Sequence, residues 1–306
     1  MGLPAHPVQT MTPQPGNKLS LLPTFALITA MVLWSSSFIA LKIAFRAYDP
    51  MFVIFGRMLV ASLCFLLIGK RLANSLHYRK GDYKLILFMA FCEPCLYFIF
   101  EAKAVENTTA SQAGVITAML PILVMIAAAF FLKERVTKKS FIGAVMAVVG
   151  VLWLTADSSP SIDAPNPVLG NFLEFLAMVC AAGYTISLKA LTDRYSPFFL
   201  TAIQALIGCI FYFPLLFFPS NAIPHSYDQT ATIAIMYLGA VVTLGAYGLF
   251  NYGIKCVPAN KGAMYVNLIP IFSVILGCLV LGEVFTLYQF FAGLLILSGV
   301  FLSQKS

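Results

Sequence analysis

The chain has 306 residues, 60% of them hydrophobic and 10% charged, with a formal net charge of +7 and a mean hydropathy of +0.89. Soluble domains carry roughly a quarter charged residues, so a solvated globular surface is excluded and a bilayer is the solvent that fits. The Lys and Arg residues fall in short clusters between apolar runs, not along one face or in a tail, which argues against a nucleic-acid partner.

Residues 1–20 are Pro-rich and polar and read as a disordered cytoplasmic leader without a cleavable signal peptide. Apolar stretches of helical length follow at 21–44, 51–69, 84–105, 111–132, 140–156, 168–189, 197–218, 231–254, 262–282 and 286–302. The expected fold class is an all-α integral membrane protein with ten transmembrane helices. Of the 19 basic residues, 15 fall on one side under this arrangement, Lys42, Arg46 and Lys103 on the other, and Arg57 inside a span. The positive-inside rule then predicts both termini in the cytoplasm, N-in and C-in. The linker 157–167, with Asp157 and Asp163 and no Lys or Arg, is expected outside.

In the first span, "LWSSSFIALK" puts Trp34 and Ser35, Ser36 and Ser37 at mid-depth. Trp34 is too deep for an interfacial belt, so it either packs or lines a cavity. Arg57 lies about 9 Å below the outer edge of span two and needs an acidic partner. Glu93 and Glu101 are both candidates. The third span carries Cys92-Glu93-Pro94-Cys95. Counting from Lys84, Glu93 lies about 13 Å into a core of about 30 Å, where a carboxylate must face protein or a water-filled cavity. Pro94 removes an amide donor beside it, and broken helices at this depth mark transporter sites. Cys92 and Cys95 read as packing residues. His6, His77 and His225 all lie in the tail or loops, so neither a metal nor a cofactor is expected.

Glu93, Tyr97 and Glu101 recur every four residues, one stripe on a helix; Thr243, Tyr247, Asn251 and Lys255 do the same in span eight. Tyr97 and Tyr247 serve either as helix contacts or as cavity lining. Pro121 and Pro270 fall within spans four and nine, where a kink serves as a hinge or allows close packing, and Asn267 adds a polar group nearby. Glu134 and Glu283, followed by Thr137 and Thr286, are expected to cap the helix that comes next.

An internal repeat organises these features. Pro121, Glu134 and Thr137 fall on Pro270, Glu283 and Thr286 at one offset, and Lys42 and Pro50 fall on Lys189 and Pro197 at another. Each half holds five spans, an odd number, so the second half should enter the membrane from the opposite side. The expected units are 21–156, the external linker 157–167, and 168–303.

With ten spans, inverted halves and a proline-to-glutamate pattern ending each fourth span, the chain resembles the drug/metabolite transporter superfamily, and more narrowly the bacterial EamA family. The stretches that carry the resemblance are "LWSSSFIALKIAF…DPMFVIFGRML" (33–60), "TASQAGVITAMLPILVMIAAAFFLKERVT" (109–137) and "VPANKGAMYVNLIPIFSVILGCLVLGEVFT" (257–286). It covers about 20–303. "SSS" stands where the family often has a glycine before the serines, and the Glu93 carboxylate is not a family signature. The resemblance implies a cavity lined by helices one, three, four, six, eight and nine, with Trp34, Glu93, Tyr97, Tyr184, Tyr247, Asn251 and Asn267 as its binding residues. It implies a bacterial inner-membrane carrier that moves a small organic metabolite by alternating access, an amino acid or related neutral or zwitterionic solute, by export. Arg57, Glu93 and Glu101 are the expected charge pair or proton-coupling groups, and Pro94, Pro121 and Pro270 the expected hinges.

Other classes remain: an importer or exchanger of nucleobase-like metabolites, a channel, or a membrane enzyme. The last is disfavoured because no His lies in a span and no Ser–His or His–Glu set occurs at mid-depth. No ATP-binding motif is present. The expected partners are the bilayer, the metabolite and a coupling proton, and the expected assembly is a monomer or weak homodimer.

Overall fold

A computed structural model describes residues 21–72, 79, 81–132, 137–192, 194–219, 222–256 and 265–304. The chain is all-α. Helices α1 (Leu21–Phe45), α2 (Pro50–Leu72), α3 (Asp82–Asn107), α4 (Ala110–Ile116, Thr117–Met119 and Leu120–Leu132 end to end), α5 (Lys138–Ala156), α6 (Pro167–Thr192), α7 (Pro197–Leu215), α8 (Gln229–Cys256), α9 (Leu268–Leu281) and α10 (Leu287–Gln304) follow in order. Among the described residues, all but α9 are long and apolar enough to cross a bilayer. The expected ninth span, 262–282, is described only from Tyr265 onward. The leader 1–20 and Glu134 lie outside the described residues.

The outer face is a girdle of exposed apolar side chains, among them Leu66, Leu67, Leu152, Phe172, Ile210 and Leu279. In water such a surface marks a binding patch; around a whole helical bundle it is the face presented to lipid. Lipid supplies no hydrophobic drive between helices, so small residues that allow close packing decide which helices meet. The α5–α10 pair shows this. A Cβ at Gly143 would stand 2.6 Å from the Ser303 amide, and one at Gly299 would stand 2.8 Å from the Ala147 amide. Ala147, Leu154, Ala292, Ile296 and Val300 fill the seam, and the Ser140 hydroxyl donates to the Ser303 carbonyl at 3.1 Å.

Helix α3 is broken where the sequence places Pro94. Glu93 adopts an extended φ of −148° and ψ of 115° inside the helix, before a cis Glu93–Pro94 peptide. A broken helix at membrane depth survives only if neighbours satisfy the freed carbonyls. Here α7 does so: Gln204 Nε2 donates to the Glu93 carbonyl at 2.8 Å, and the Tyr212 hydroxyl reaches the Pro94 and Cys95 carbonyls at 3.1 and 2.6 Å. Gly208 lets α7 approach; a Cβ there would sit 2.8 Å from the Pro94 ring. Cys92 packs against Gly183 of α6.

Helix α8 is also irregular, widening to a π-type ladder over Leu238–Ala246, with the Thr243 hydroxyl donating to the Leu238 carbonyl at 2.9 Å. Tyr97 and Tyr247 each open the regular segment that follows the irregularity. In α4 and α9 each proline stands near the start of a regular segment. Pro121 falls in the first turn after the 3-10 stretch Thr117–Met119, and Pro270 in the first turn of α9, behind a turn closed by Ile269 N–H to the Val266 carbonyl. Proline costs least there because a first-turn amide has no partner in its own helix. The irregularity precedes the proline in both.

The capping expectation also changes. Thr286, not Glu283, caps α10, exchanging hydrogen bonds of 3.1 Å with Gln289. Gly282, at φ +69°, ends α9 in the left-handed region and turns the chain. The Glu283 carboxylate then crosses to α4, accepting from the amides of Ala110 and Ser111 at 2.7 and 2.9 Å and from the Ser111 hydroxyl. An anion there satisfies helix-terminal donors and the positive end of the helix dipole.

Two outcomes are expected in thermal unfolding of the purified protein in detergent. Gly143→Leu should lower the midpoint, at a cost of about 1–3 kcal/mol or more, from overpacking the α5–α10 seam. Tyr212→Phe should cost about 1–3 kcal/mol by leaving a carbonyl of the α3 break unsatisfied.

Candidate binding cavity

The two irregular helices face each other across a small central cavity of about 40 Å³, room for a few water molecules. Its walls come from α1 (Trp34, Ser37, Phe38), α2 (Arg57), α3 (Glu93, Tyr97, Glu101), α4 (Thr117, Leu120), α6 (Met178, Ala181, Tyr184, Thr185), α8 (Tyr247, Phe250), α9 (Ile269) and the turn before it (Val266). These are the helices implied by the resemblance, with α2 added through its arginine. Helices α5, α7 and α10 stand outside.

Glu93 is buried, and its carboxylate accepts a hydrogen bond from the Tyr247 hydroxyl across the cavity. The Trp34 ring meets Tyr247 edge-on at 5.1 Å and tilts over Phe250 at 4.7 Å; Tyr184 meets Tyr247 at 6.3 Å. Such edge-to-face contacts fix ring orientation. Trp34 Nε1 has no hydrogen-bond partner among the described residues. An aromatic wall beside a carboxylate is the arrangement that attracts an ammonium group.

Arg57 settles the pairing that the sequence leaves open. Its Nη1 lies 3.5 Å from Glu101 Oε2, an ion pair too long for a hydrogen bond, while Nε donates to the Thr243 hydroxyl at 2.8 Å. The guanidinium also sits 4.1 Å from the Phe98 ring centroid. Tyr97 donates to Glu101 Oε1 at 3.0 Å, and Glu93, Tyr97 and Glu101 all stand in the wall although the helix is broken between the first two. The matching α8 stripe contributes less: Tyr247 is in the wall, Thr243 is spent on Arg57, and Asn251 stands behind Tyr184. Asn251 accepts from the Tyr184 hydroxyl at 2.8 Å and donates to Thr201 at 2.8 Å, leaving nothing for the cavity. Asn267 is half-buried with an unpaired Oδ1, beside the wall residue Val266 but not in the wall itself.

The end of the bundle that carries the linker is tied together by polar contacts. Besides Glu283 on α4, Lys42 donates to the Asp163 carbonyl, and Thr108 and Asn171 join at 2.7 Å. Asn171 reaches Gln112 and Thr155, and Thr286 donates to Asp157 at 2.6 Å. Neither Asn171 nor Gln112 stands out in an apolar sequence, so this seal is visible only in three dimensions.

The EamA-like transporter family profile matches the chain twice, over residues 21–156 and 168–304. "Uncharacterized transporter YetK" of Bacillus subtilis is 27% identical over 282 residues, 91% of this chain and 85% of its own length. A protein of Streptantibioticus cattleyicolor named "Probable terminal-alkyne amino-acid exporter" is 22% identical over 284 residues, covering 92% and 93% of the two chains. A solved crystal structure 19% identical in sequence superposes with a TM-score of 0.63 over 92% of this chain and 95% of that one, a likeness of fold. The family is one of transporters, not of catalysts, and its members carry small metabolites across membranes. This multi-pass membrane protein belongs to the EamA-like transporter family.

Proposed function

We propose that the protein is a secondary exporter of amino acids or related zwitterionic solutes, working by alternating access around the central cavity. The observation that carries this reading is the buried Glu93 carboxylate in an aromatic-walled cavity, with Tyr247 as its hydrogen-bond partner in the structure. Glu93 takes the substrate ammonium, and the rings of Trp34, Tyr184, Tyr247 and Phe250 cover its apolar part. The unpaired donors Trp34 Nε1 and Arg57 Nη1 serve the substrate carboxylate. Tyr97 and Glu101 hold Arg57, while Asn251 positions Tyr184 and Asn267 adds an acceptor near the α9 wall. The exporter name of the Streptantibioticus cattleyicolor relative supports the amino-acid class.

In this reading 21–156 and 168–303 are five-helix units of opposite orientation joined by an external linker at 157–167. Both termini are cytoplasmic, as the basic loops favour. The carrier works in a bacterial inner membrane as a monomer or weak homodimer, and a counter-moving proton drives export. The turn-then-proline joints at Pro121 and Pro270, with the break at Pro94, are the hinges. The linker-end network is the closed outer gate, with Glu283 as its latch to α4.

The test is transport of a labelled amino-acid panel in proteoliposomes, by uptake and counterflow, with and without a pH gradient. Saturable counterflow of a neutral amino acid is expected, and Glu93→Gln should abolish it while the purified variant elutes as folded protein. Wild-type counterflow surviving in Glu93→Gln would remove Glu93 from the binding site. Glu283→Ala should weaken the outer seal and raise labelling of a cavity cysteine from the linker side; unchanged labelling would remove Glu283 from the gate.

A further inference from the structure

One buried acid has no part in that scheme. Glu174 stands on α6, fully buried, and neither of its carboxylate oxygens has a hydrogen-bond partner among the described residues. The other buried acids among the described residues are attended: Glu93 by Tyr247, Glu101 by Tyr97 and Arg57, Asp82 by Arg194 and Tyr195.

Glu174 lies seven residues below Pro167, Arg57 seven below Pro50, and Glu101 six below Asn107. At the helical rise all three stand about 10 Å beneath the linker end. One turn above Glu174, a Cβ at Gly170 would stand 2.9 Å from the Ala104 carbonyl, so α6 and α3 are in close contact where they carry Glu174 and Glu101, and the Tyr97 hydroxyl donates to Glu101. From α4 and α5, Gln112 and Thr155 are uncharged and bond Asn171, one turn away. From α8, the Tyr247 hydroxyl is engaged with Glu93. Lys42 is nearer the linker end and donates to the Asp163 carbonyl.

The charge count follows. Glu93, Glu101 and Glu174 share the interior with Arg57, while the other buried cation among the described residues, Lys42, is engaged nearer the linker end. A buried carboxylate without donors or a cation carries an uncompensated desolvation penalty. Arg57 balances one acid, and Glu93 opens on the cavity where a substrate ammonium balances it. Glu174 is not in the cavity wall. The cation that fits a group with no open space around it is a proton.

We propose that Glu174 is a proton-binding site of the carrier, exchanging its proton with the cavity through Glu101 and Tyr97. The steps are proton transfers without electron transfer. A proton from cavity water reaches a Glu174 carboxylate oxygen by way of Glu101 to give the neutral acid, and on the return passes to Glu101 Oε2, which accepts no other hydrogen bond. Glu174 is left as the anion and Glu101 as the acid. Glu101, in the cavity wall beside Tyr97, releases the proton to cavity water and returns to its ion pair with Arg57. The proposal rests on the transporter reading for its purpose, but not on the choice of substrate.

The test is an infrared titration of the purified full-length protein in lipid, following carboxylic-acid C=O absorption against pH in wild type, Glu174→Gln and Glu93→Gln. Glutamine reproduces the shape of the protonated acid, so a packing role survives the change. We expect a band that disappears as pH rises in wild type, persists in Glu93→Gln and is lost in Glu174→Gln. In proteoliposomes, efflux of whichever labelled amino acid wild type carries should lose its response to an imposed pH gradient in Glu174→Gln. An identical titration in wild type and Glu174→Gln, or a Glu174 band that does not respond to pH, overturns the proposal. Should wild type carry no amino acid, the substrate reading fails and the infrared arm still decides the proton site.

Discussion

A charged group cannot remain inside a bilayer without company, and the interior of this protein is arranged around that constraint. Arg57 meets it with Glu101, Thr243 and the face of Phe98, drawing on α2, α3 and α8. Leaving one member of such a pair alone costs about 3–5 kcal/mol, so the three helices are tied at the roof of the cavity. The tie leaves Nη1 without a hydrogen bond. An arginine held by its Nε and its ring contact is fixed in place while keeping a donor for whatever enters below.

The second device is controlled irregularity. Pro94 breaks α3, but α7 supplies Gln204 and Tyr212 to the exposed carbonyls, so the break is rigid and not frayed. It places Glu93 in the cavity wall opposite Tyr247, at the end of the widened stretch of α8. Cavity geometry thus depends on a helix that is not itself in the cavity wall. The linker-end seal uses short polar side chains and helix-terminal amides. Such contacts are strong when dry and readily exchanged for water, which suits a closure that must reopen.

Much of this was legible in the sequence, for identifiable reasons. Span positions follow from hydropathy, because lipid permits little else, and only α9 is described as shorter than the pattern predicts. Glu93 was legible because an acid within an apolar run has no bland place to go. The same rule marks Glu174, yet the eye passes over it where no proline or tyrosine stripe adorns it. The choice of Glu101 over Glu93 for Arg57 was not legible, since both lie within reach of a long side chain and packing of Thr243 and Phe98 decides. Asn251 was misplaced because four-residue spacing gives a helix face but not how far that face turns from the cavity. Glu283 was assigned to its own neighbour in sequence; its real partner, α4, lies far away in the chain and is brought near only by folding.

The central claim is that the midplane charges open on one water-filled cavity between the halves. It is tested most directly at Ala181, a small uncharged residue in the cavity wall. In a protein freed of its seven native cysteines, Ala181→Cys is exposed to a membrane-impermeant thiol reagent in vesicles of known orientation. The account predicts labelling that an added neutral amino acid substrate slows. Failure to label from either side, with labelling only by lipid-soluble reagents, would contradict it.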